Sequence, residues 1–205
     1  MIDFSNVSEL FVAGKEAHDL YINGSKVWEK GGSTPPFLTF TAEDANSEWS
    51  INLDGLEYST DGGVNWSDYP RNIRMTLANV GDKVGIRTKS DRNAIGYTFY
   101  LSGRIAASGN IMSLLKNDGD LDTIPSNNCF IGLFEDCIAL TSAPELPATT
   151  LTRNCYQYMF DGCTSLVNPP SELPALSVPF AAYGDMFAGT AITKSPYIRA
   201  TYVDE

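Results

Sequence analysis

A repeated segment constrains the fold of this chain more than any other feature. The stretch CFIGLFEDCIAL, which begins at Cys129, recurs 26 residues later as CYQYMFDGCTSL, which begins at Cys155. Each copy continues into a Pro-rich stretch, TSAPELPATTL in the first and VNPPSELPALSV in the second. A weaker third copy, AAYGDMFAGTAITKSPYI, aligns Phe187 with Phe160 after a slip of one residue. One copy alone is too short to bury its apolar residues, so such copies fold by stacking on one another.

The repeat predicts a short solenoid over residues 104–205, with about two and a half repeats. A period of 26 residues lies within the range of about 20–29 residues that is typical of leucine-rich repeats. Stacking would place two cysteines, a phenylalanine and a leucine of each strong copy in a continuous core. These expected core residues are Cys129, Phe134, Cys137, Leu140, Cys155, Phe160, Cys163 and Leu166.

The four cysteines are spaced C-x7-C-x17-C-x7-C, which favours a structural role in the core. Zinc sites usually pair their cysteines as C-x2–4-C, with about two to four residues between them. Seven residues on a short helix would separate a pair by about 12 Å, which is too far for a disulfide bond. Small apolar residues in successive coils therefore explain the spacing best, with a disulfide and a metal site as alternatives. We expect neither a metal nor a cofactor.

The first half of the chain predicts short β-strands. In DLYINGSKVWEK, Asn23 and Gly24 separate two apolar runs, as in a two-residue hairpin turn. The polar stretch GGSTPP then predicts a linker over residues 32–36. Residues 37–103 alternate with period two between turn clusters, which indicates an antiparallel β-sandwich-like domain or a small barrel of six or seven strands. The expected fold is therefore mainly β with short helices: an N-terminal β-hairpin segment over residues 1–31, the β-domain and the solenoid.

One turn in the β-domain matches the Asp-box pattern S-x-D-x-G-x-[TN]-W through Ser59, Asp61, Gly63 and Trp66. We expect Asp61 to accept hydrogen bonds from backbone amides, Gly63 to adopt a positive φ, and Trp66 to pack under the hairpin. Sialidases carry this box, but away from their catalytic site and once per propeller blade. A single copy in about seventy residues therefore indicates a structural hairpin.

Two stretches resemble known families. CYQYMFDGCTSLVNPPSELPA resembles the BspA-like leucine-rich repeats of gut-bacterial surface proteins and their phages, on the motif MF-x-G-C-x-x-L. The first copy departs from that motif at Asp136, and the third copy has Thr190 in place of the second cysteine. KEAHDLYINGSKVWEKG is similar to the start of appendage proteins of phages that infect gut bacteria, where it attaches the chain to the particle. This second resemblance implies a virion anchor that includes Leu20, Ile22, Gly24, Val27 and Trp28.

Together the resemblances imply a phage tail-fibre or head-fibre protein, located in the virion and assembled in the host cytoplasm. Its expected partners are other virion proteins at the N-terminus and a host-surface glycan or protein at the repeats, and fibres of this kind imply a homotrimer. A purely structural decoration of capsid or tail, and a secreted or cell-surface bacterial adhesin, are the alternatives. The expected ligand-binding residues are the non-core positions Thr141, Ser142, Glu145, Val167, Asn168 and Ser171.

Composition argues against several other functions. The net charge of −11 disfavours a nucleic-acid partner. No apolar run is long enough to span a membrane, and the N-terminus lacks the pattern of a signal peptide. His18 is the only histidine and has no nucleophile motif beside it, so we expect no catalytic residues and no enzyme activity. The acidic run DGDLD, residues 118–122, suits either a solvated loop or Ca²⁺, but lacks the spacing of an EF-hand.

Overall fold

The computed structural model describes residues 10–12, 15–17, 19–22, 25–29 and 36–204. The chain divides into two compact units, Met1–Thr34 and Pro35–Glu205. The division falls inside the predicted linker, of which only Pro36 lies among the described residues. The described part is mainly β, as predicted, and its one helical element is a 3₁₀ helix at Ile111–Leu114.

The described residues of the first unit form two antiparallel strand pairs. Strand β1 (Leu10–Val12) pairs with β2 (Lys15–Ala17). Strand β3 (Asp19–Ile22) pairs with β4 (Ser25–Glu29), with Leu20 opposite Trp28 and Ile22 opposite Ser25. Of the expected anchor residues, Leu20, Ile22, Val27 and Trp28 lie in these two strands, whereas Gly24 and the rest of the predicted turn lie outside the described residues.

The second unit begins with two sheets. Its strands are β5 (Leu38–Ala42), β6 (Ser47–Ile51), β7 (Leu56–Ser59), β8 (Ser67–Asp68), β9 (Met75–Leu77), β10 (Lys83–Thr88), β11 (Phe99–Ser102) and β12 (Ile105–Ser108). One sheet has the order β12-β5-β10-β7-β8, and the other has the order β11-β6-β9. All these pairings are antiparallel. The sheets contact each other through Phe40 and Phe99, whose ring centroids are 5.2 Å apart, and through the buried Trp49.

The first sheet continues into the repeat region. Strand β12 pairs in parallel with β13 (Leu140–Ser142), which becomes the sixth strand of that sheet. The 3₁₀ helix follows β12, and the side chain of Ser113 in it bonds to the backbone of Leu38 and Ile86 at 2.9 Å each. The change of sequence pattern at Gly103 therefore lies inside one compact unit with a shared core.

The repeat region stacks coil upon coil through parallel pairing. Strand β14 (Glu172–Leu173) pairs with β16 (Tyr197–Ile198), and β15 (Ser177–Val178) pairs with β17 (Tyr202–Val203). Isolated parallel bridges join Thr123 to Thr150 and Ser142 to Asn168. Between the strand portions, each coil forms a run of overlapping turns, which we call the first (residues 128–137), second (154–163) and third (181–190) turn segments. Each cysteine pair thus lies in a run of turns, and not on the short helix that the interpretation of the cysteine spacing assumed.

Candidate functional site: the repeat stack and its exposed positions

The three turn segments share one backbone conformation. Left-handed residues recur at every fourth position, with positive φ at Asn128, Gly132 and Asp136 in the first segment. The second and third segments repeat the pattern at Asn154, Tyr158, Gly162, Ala181, Asp185 and Gly189. Such φ values favour glycine, asparagine and aspartate, which fill seven of these nine positions. Equivalent residues of the third segment lie 27 positions after those of the second, so the slip of one residue seen in the sequence is present in the backbone.

Two ladders of stacked rings run through the coils. In the longer ladder Phe99, Phe134, Phe160 and Phe187 follow one another, with centroids 5.2, 5.5 and 5.6 Å apart and interplanar angles of 13°, 7° and 2°. In the shorter ladder Tyr156 lies between Phe130 and Tyr183, at 5.7 and 6.0 Å. Stacked aromatic rings gain about 0.5–1.5 kcal/mol per pair beyond their burial. The ladders therefore tie each coil to its neighbour.

A segment of the β-sheet region starts the stack, which sequence reasoning missed. The amides of Ile95 and Phe99 donate to the carbonyls of Cys129 and Leu133 at 2.7 and 2.9 Å, as equivalent residues do between later coils. Residues 93–99 contain no cysteine and no glycine at the repeat positions, so the letter pattern does not extend to them. The available signal was the spacing of Asn93, Ile95 and Phe99, which matches that of Asn128, Phe130 and Phe134.

The four cysteines are all buried and free. The thiol of Cys137 donates to the carbonyl of Phe99 at 3.0 Å, and the thiol of Cys163 donates to the carbonyl of Phe134 at 2.9 Å. Burial raises the pKa of Cys163 to about 12 and that of Cys155 to about 11. Because the thiolate is the reactive form, these thiols are not suited to nucleophilic chemistry. The other expected core residues, Phe134, Leu140, Phe160 and Leu166, are also fully buried.

The expected ligand-binding residues differ in their accessibility. Thr141 is only 1% exposed, and its hydroxyl donates to the carbonyl of Ile105 at 3.2 Å. The proposal of Thr141 as a ligand contact is therefore wrong, because this side chain is committed to the strand ladder. Ser142 and Glu145 are half-buried, whereas Asn168 and Ser171 are exposed, and Val167 is 50% exposed.

Four of these residues bond to one another across the coils. The side-chain amide of Asn168 donates to the hydroxyl of Ser142 at 3.0 Å, and the hydroxyl of Ser171 donates to the carboxylate of Glu145 at 3.0 Å. A third bond of this kind joins Asn154 to Asn128 at 3.1 Å on the turn segments. All three pairs are 26 residues apart. Each of these polar side chains is thus bonded to the equivalent side chain of the neighbouring coil.

The tyrosines of the repeats fall into different environments. Tyr156 is 1% exposed and belongs to the core, while Tyr158 and Tyr183 are half-buried. Tyr197 is 66% exposed, and Tyr202 is 61% exposed in the neighbouring strand. Exposed tyrosine rings can stack on sugar faces and their hydroxyls can form hydrogen bonds. Of the repeat tyrosines, Tyr197 and Tyr202 are therefore the best placed to meet a ligand.

The turn from Ser59 to Trp66 is organised around one carboxylate. Asp61 Oδ1 accepts hydrogen bonds from the amides of Val64 and Asn65 at 3.1 and 2.9 Å and from the hydroxyl of Ser59 at 2.7 Å. Bonds from the backbone and side chain of Asn65 lower the pKa of Asp61 to about 2. Gly63 has a φ of 92°.

The Trp66 ring lies between two side chains beside that turn. It meets Phe37 edge to face at 5.0 Å, while the Arg87 guanidinium lies 3.9 Å from its centroid. Its Nε1 donates to the carbonyl of Gly63 at 3.0 Å. The Ser59 hydroxyl, the Asp61 carboxylate and the Trp66 indole thus each have a partner within the turn, which suits a structural role.

Other candidates for chemistry find little support in the described part of the chain. His18 lies outside the described residues. In the DGDLD run, Asp118 accepts from the amide of Asp120 and lies 3.7 Å from Lys116 Nζ. Among the described residues, no three His, Cys, Asp or Glu side chains come together as metal ligands, and no helix is long and apolar enough to cross a membrane. Comparisons with protein-family models, with curated proteins and with solved structures find no match to this chain.

Proposed function

We propose that this protein is a non-enzymatic attachment module of a phage virion, of the tail-fibre or head-fibre type. Residues 1–31 anchor it to other virion proteins, and the coils form a BspA-like leucine-rich-repeat solenoid that binds a host-surface glycan or protein. The Ser59–Trp66 turn is an Asp box that stabilises the β-domain. Copies assemble as a homotrimer, which raises a weak single-site affinity by avidity.

The observation that supports the proposal best is the difference between the buried and the outer positions of each coil. Buried positions are apolar and fix the stack through the ring ladders, while the outer strand positions are polar or exposed and aligned from coil to coil. Solenoids use such extended, aligned surfaces for binding. Val167, Asn168 and Ser171 form the accessible part of this surface, and Tyr197 and Tyr202 lie on the strands of the last coil.

A second candidate, a purely structural decoration, has a specific observation in its favour. The pairs Ser142–Asn168 and Glu145–Ser171 are bonded to each other, so these residues already have a structural task. A decoration protein would need the anchor and the stable stack but no ligand. The two candidates therefore differ in binding and not in particle attachment.

The test of binding uses the full chain on an array of bacterial surface glycans and on whole host cells. The variant Val167→Lys places a charge at a 50% exposed position of the outer strand surface. The matched control Val64→Lys makes the same change at a 78% exposed position in the Ser59–Trp66 turn. We expect Val167→Lys to lose at least about tenfold in affinity, or 1.4 kcal/mol, while Val64→Lys binds like the parent protein.

The test of attachment deletes residues 1–31 and measures incorporation into particles. We expect the deletion to abolish incorporation while residues 36–204 keep their melting temperature. Incorporation that survives the deletion would contradict the anchor. Normal incorporation together with no binding to any glycan or cell would favour the decoration.

A further inference from the structure

Backbone amides in the turn segments alternate between two kinds of partner. In the first segment the amides of residues 128, 130, 132, 134 and 136 donate to carbonyls of the second segment, at 2.8–3.0 Å. The amides between them, from Ile131 to Cys137, donate within the segment to the carbonyl three residues earlier. The second segment repeats the pattern, with residues 154, 156, 158, 160 and 162 donating to the third segment at 2.9–3.2 Å.

This alternation gives the stack a direction. Every backbone–backbone bond between neighbouring turn segments runs from an amide of the earlier coil to a carbonyl of the later coil. The carbonyls of residues 128, 130, 132 and 134 accept the bonds within the first segment. In backbone-to-backbone bonding, one edge of each turn segment therefore only donates and the opposite edge only accepts, unlike a β-strand, whose edges do both.

The third turn segment presents the donor edge of the stack. The amides equivalent to those of the second segment belong to Ala181, Tyr183, Asp185, Phe187 and Gly189, and they have no acceptor among the described residues. The carbonyls of Phe180, Ala182, Gly184, Met186 and Ala188 already accept bonds from the second segment. The last coil thus ends in a row of five outward backbone amides with no backbone carbonyl among them.

Apolar side chains at the same end occupy positions that are buried one coil earlier. Ile198 pairs with Leu173 in the strand ladder, yet Ile198 is 52% exposed and Leu173 is 2% exposed. Val203 pairs with Val178, and their exposures are 62% and 6%. Each difference arises because Leu173 and Val178 have a coil on both sides. Exposed apolar surface and unpaired amides at one end together indicate a surface that a partner covers.

The direction of the backbone hydrogen bonds limits which partner can bind at this end. A symmetric second copy would set amides against amides, which cannot bond to each other. A head-to-tail copy would need an open edge at the other end of the stack, but there β12 already pairs on both edges, with β5 and with β13. We propose that a further coil docks on the third turn segment, running in the same direction and presenting backbone carbonyls to the amide row and apolar side chains to Ile198 and Val203.

A linked coil tests this docking chemistry directly. A copy of residues 153–178 fused after Glu205 places the copied Asn154 26 residues after Ala181, which is the spacing of the first two coils. Linkage gives the added coil an effective concentration in the millimolar range. Hydrogen exchange is followed at the amides of Tyr183, Asp185 and Phe187 in the full chain. We expect them to exchange near unprotected rates without the extension and more than about tenfold more slowly with it.

The control extension has the same composition in scrambled order, and we expect it to leave the three amides unprotected. The amides of Tyr156, Tyr158 and Phe160, which are bonded to the third segment, report in every sample that the stack is folded. Equal exchange with the repeat extension and with the scrambled one would overturn the proposal. Protection of the amide row that rises with the concentration of the unextended protein would also overturn it, because a second copy would then be the occupant.

Discussion

Replacing Tyr156 by phenylalanine should stabilise the protein. The Tyr156 hydroxyl is buried and has no hydrogen-bond partner among the described residues. An unpaired buried polar group costs about 1–3 kcal/mol. The ring itself is stacked between Phe130 and Tyr183, and the equivalent position of the first coil is already the phenylalanine Phe130. We therefore expect Tyr156→Phe to raise the free energy of unfolding by about 1 kcal/mol, since the void left by the oxygen offsets part of the gain.

The matched control is Tyr69→Phe, which removes the same atom from a hydroxyl that has partners. Tyr69 is 5% exposed, its oxygen accepts from the amide of Ile51 at 3.0 Å, and it donates to the carbonyl of Ile73 at 2.9 Å. We expect Tyr69→Phe to lower the free energy of unfolding by about 1–3 kcal/mol, because the Ile51 amide loses its acceptor.

Urea unfolding followed by circular dichroism measures both variants, with the slope m checked for constancy. For a chain of this size 1 kcal/mol corresponds to roughly 2–4 °C in melting temperature, so the two variants should move it in opposite directions. A loss of 1 kcal/mol or more in Tyr156→Phe would refute the reasoning. It would mean that the hydroxyl has a partner in solution, such as a buried water.

Three further predictions concern the stack. Phe134→Ala should cost about 3–5 kcal/mol of unfolding free energy in urea, against less than about 1 kcal/mol for Phe180→Ala, whose ring is 46% exposed. Burial raises the pKa of Cys163 from 9.0 to about 12, so the stability that this protonated thiol contributes is present below pH 9 and is lost as the pH rises towards 12. Urea titrations at pH 8 and pH 10.5 should show that fall, and a smaller one in Cys163→Ala. Gly162→Ala should lower the free energy of unfolding by about 1–2 kcal/mol because of its φ of 71°, and by more because the new Cβ would meet the Asp136 carboxylate. When Gly162→Ala is made in the Asp136→Gly variant, the additional loss should disappear. Equal losses in both backgrounds would contradict a contact between the new Cβ and Asp136.

The repeat could be aligned from sequence because its buried positions carry distinctive residues. Phenylalanine and cysteine recur at fixed spacing, so even the slip before Phe187 was visible. The segment that precedes the first copy was not visible, because only Asn93, Ile95 and Phe99 match the repeat and its cysteines are missing there. The burial of Thr141 was missed for a related reason. A threonine between a buried leucine and a serine has the pattern of an outward strand position, and only its bond to the Ile105 carbonyl reveals that it faces inward.

The direction of the hydrogen bonds between the turn segments could not be predicted from the residue pattern. Residues 129–134 form a short apolar run, CFIGLF, and such a run fits a buried strand as well as a chain of turns. The recurring left-handed positions distinguish the two, because asparagine, glycine and aspartate at every fourth residue permit a turn at each of them. Once the turns form, every second backbone amide donates within its own turn segment, and the others donate to the next coil. The two ends of such a stack therefore differ: residues 93–99 donate to the first coil, and the third turn segment presents amides that match a carbonyl-bearing coil.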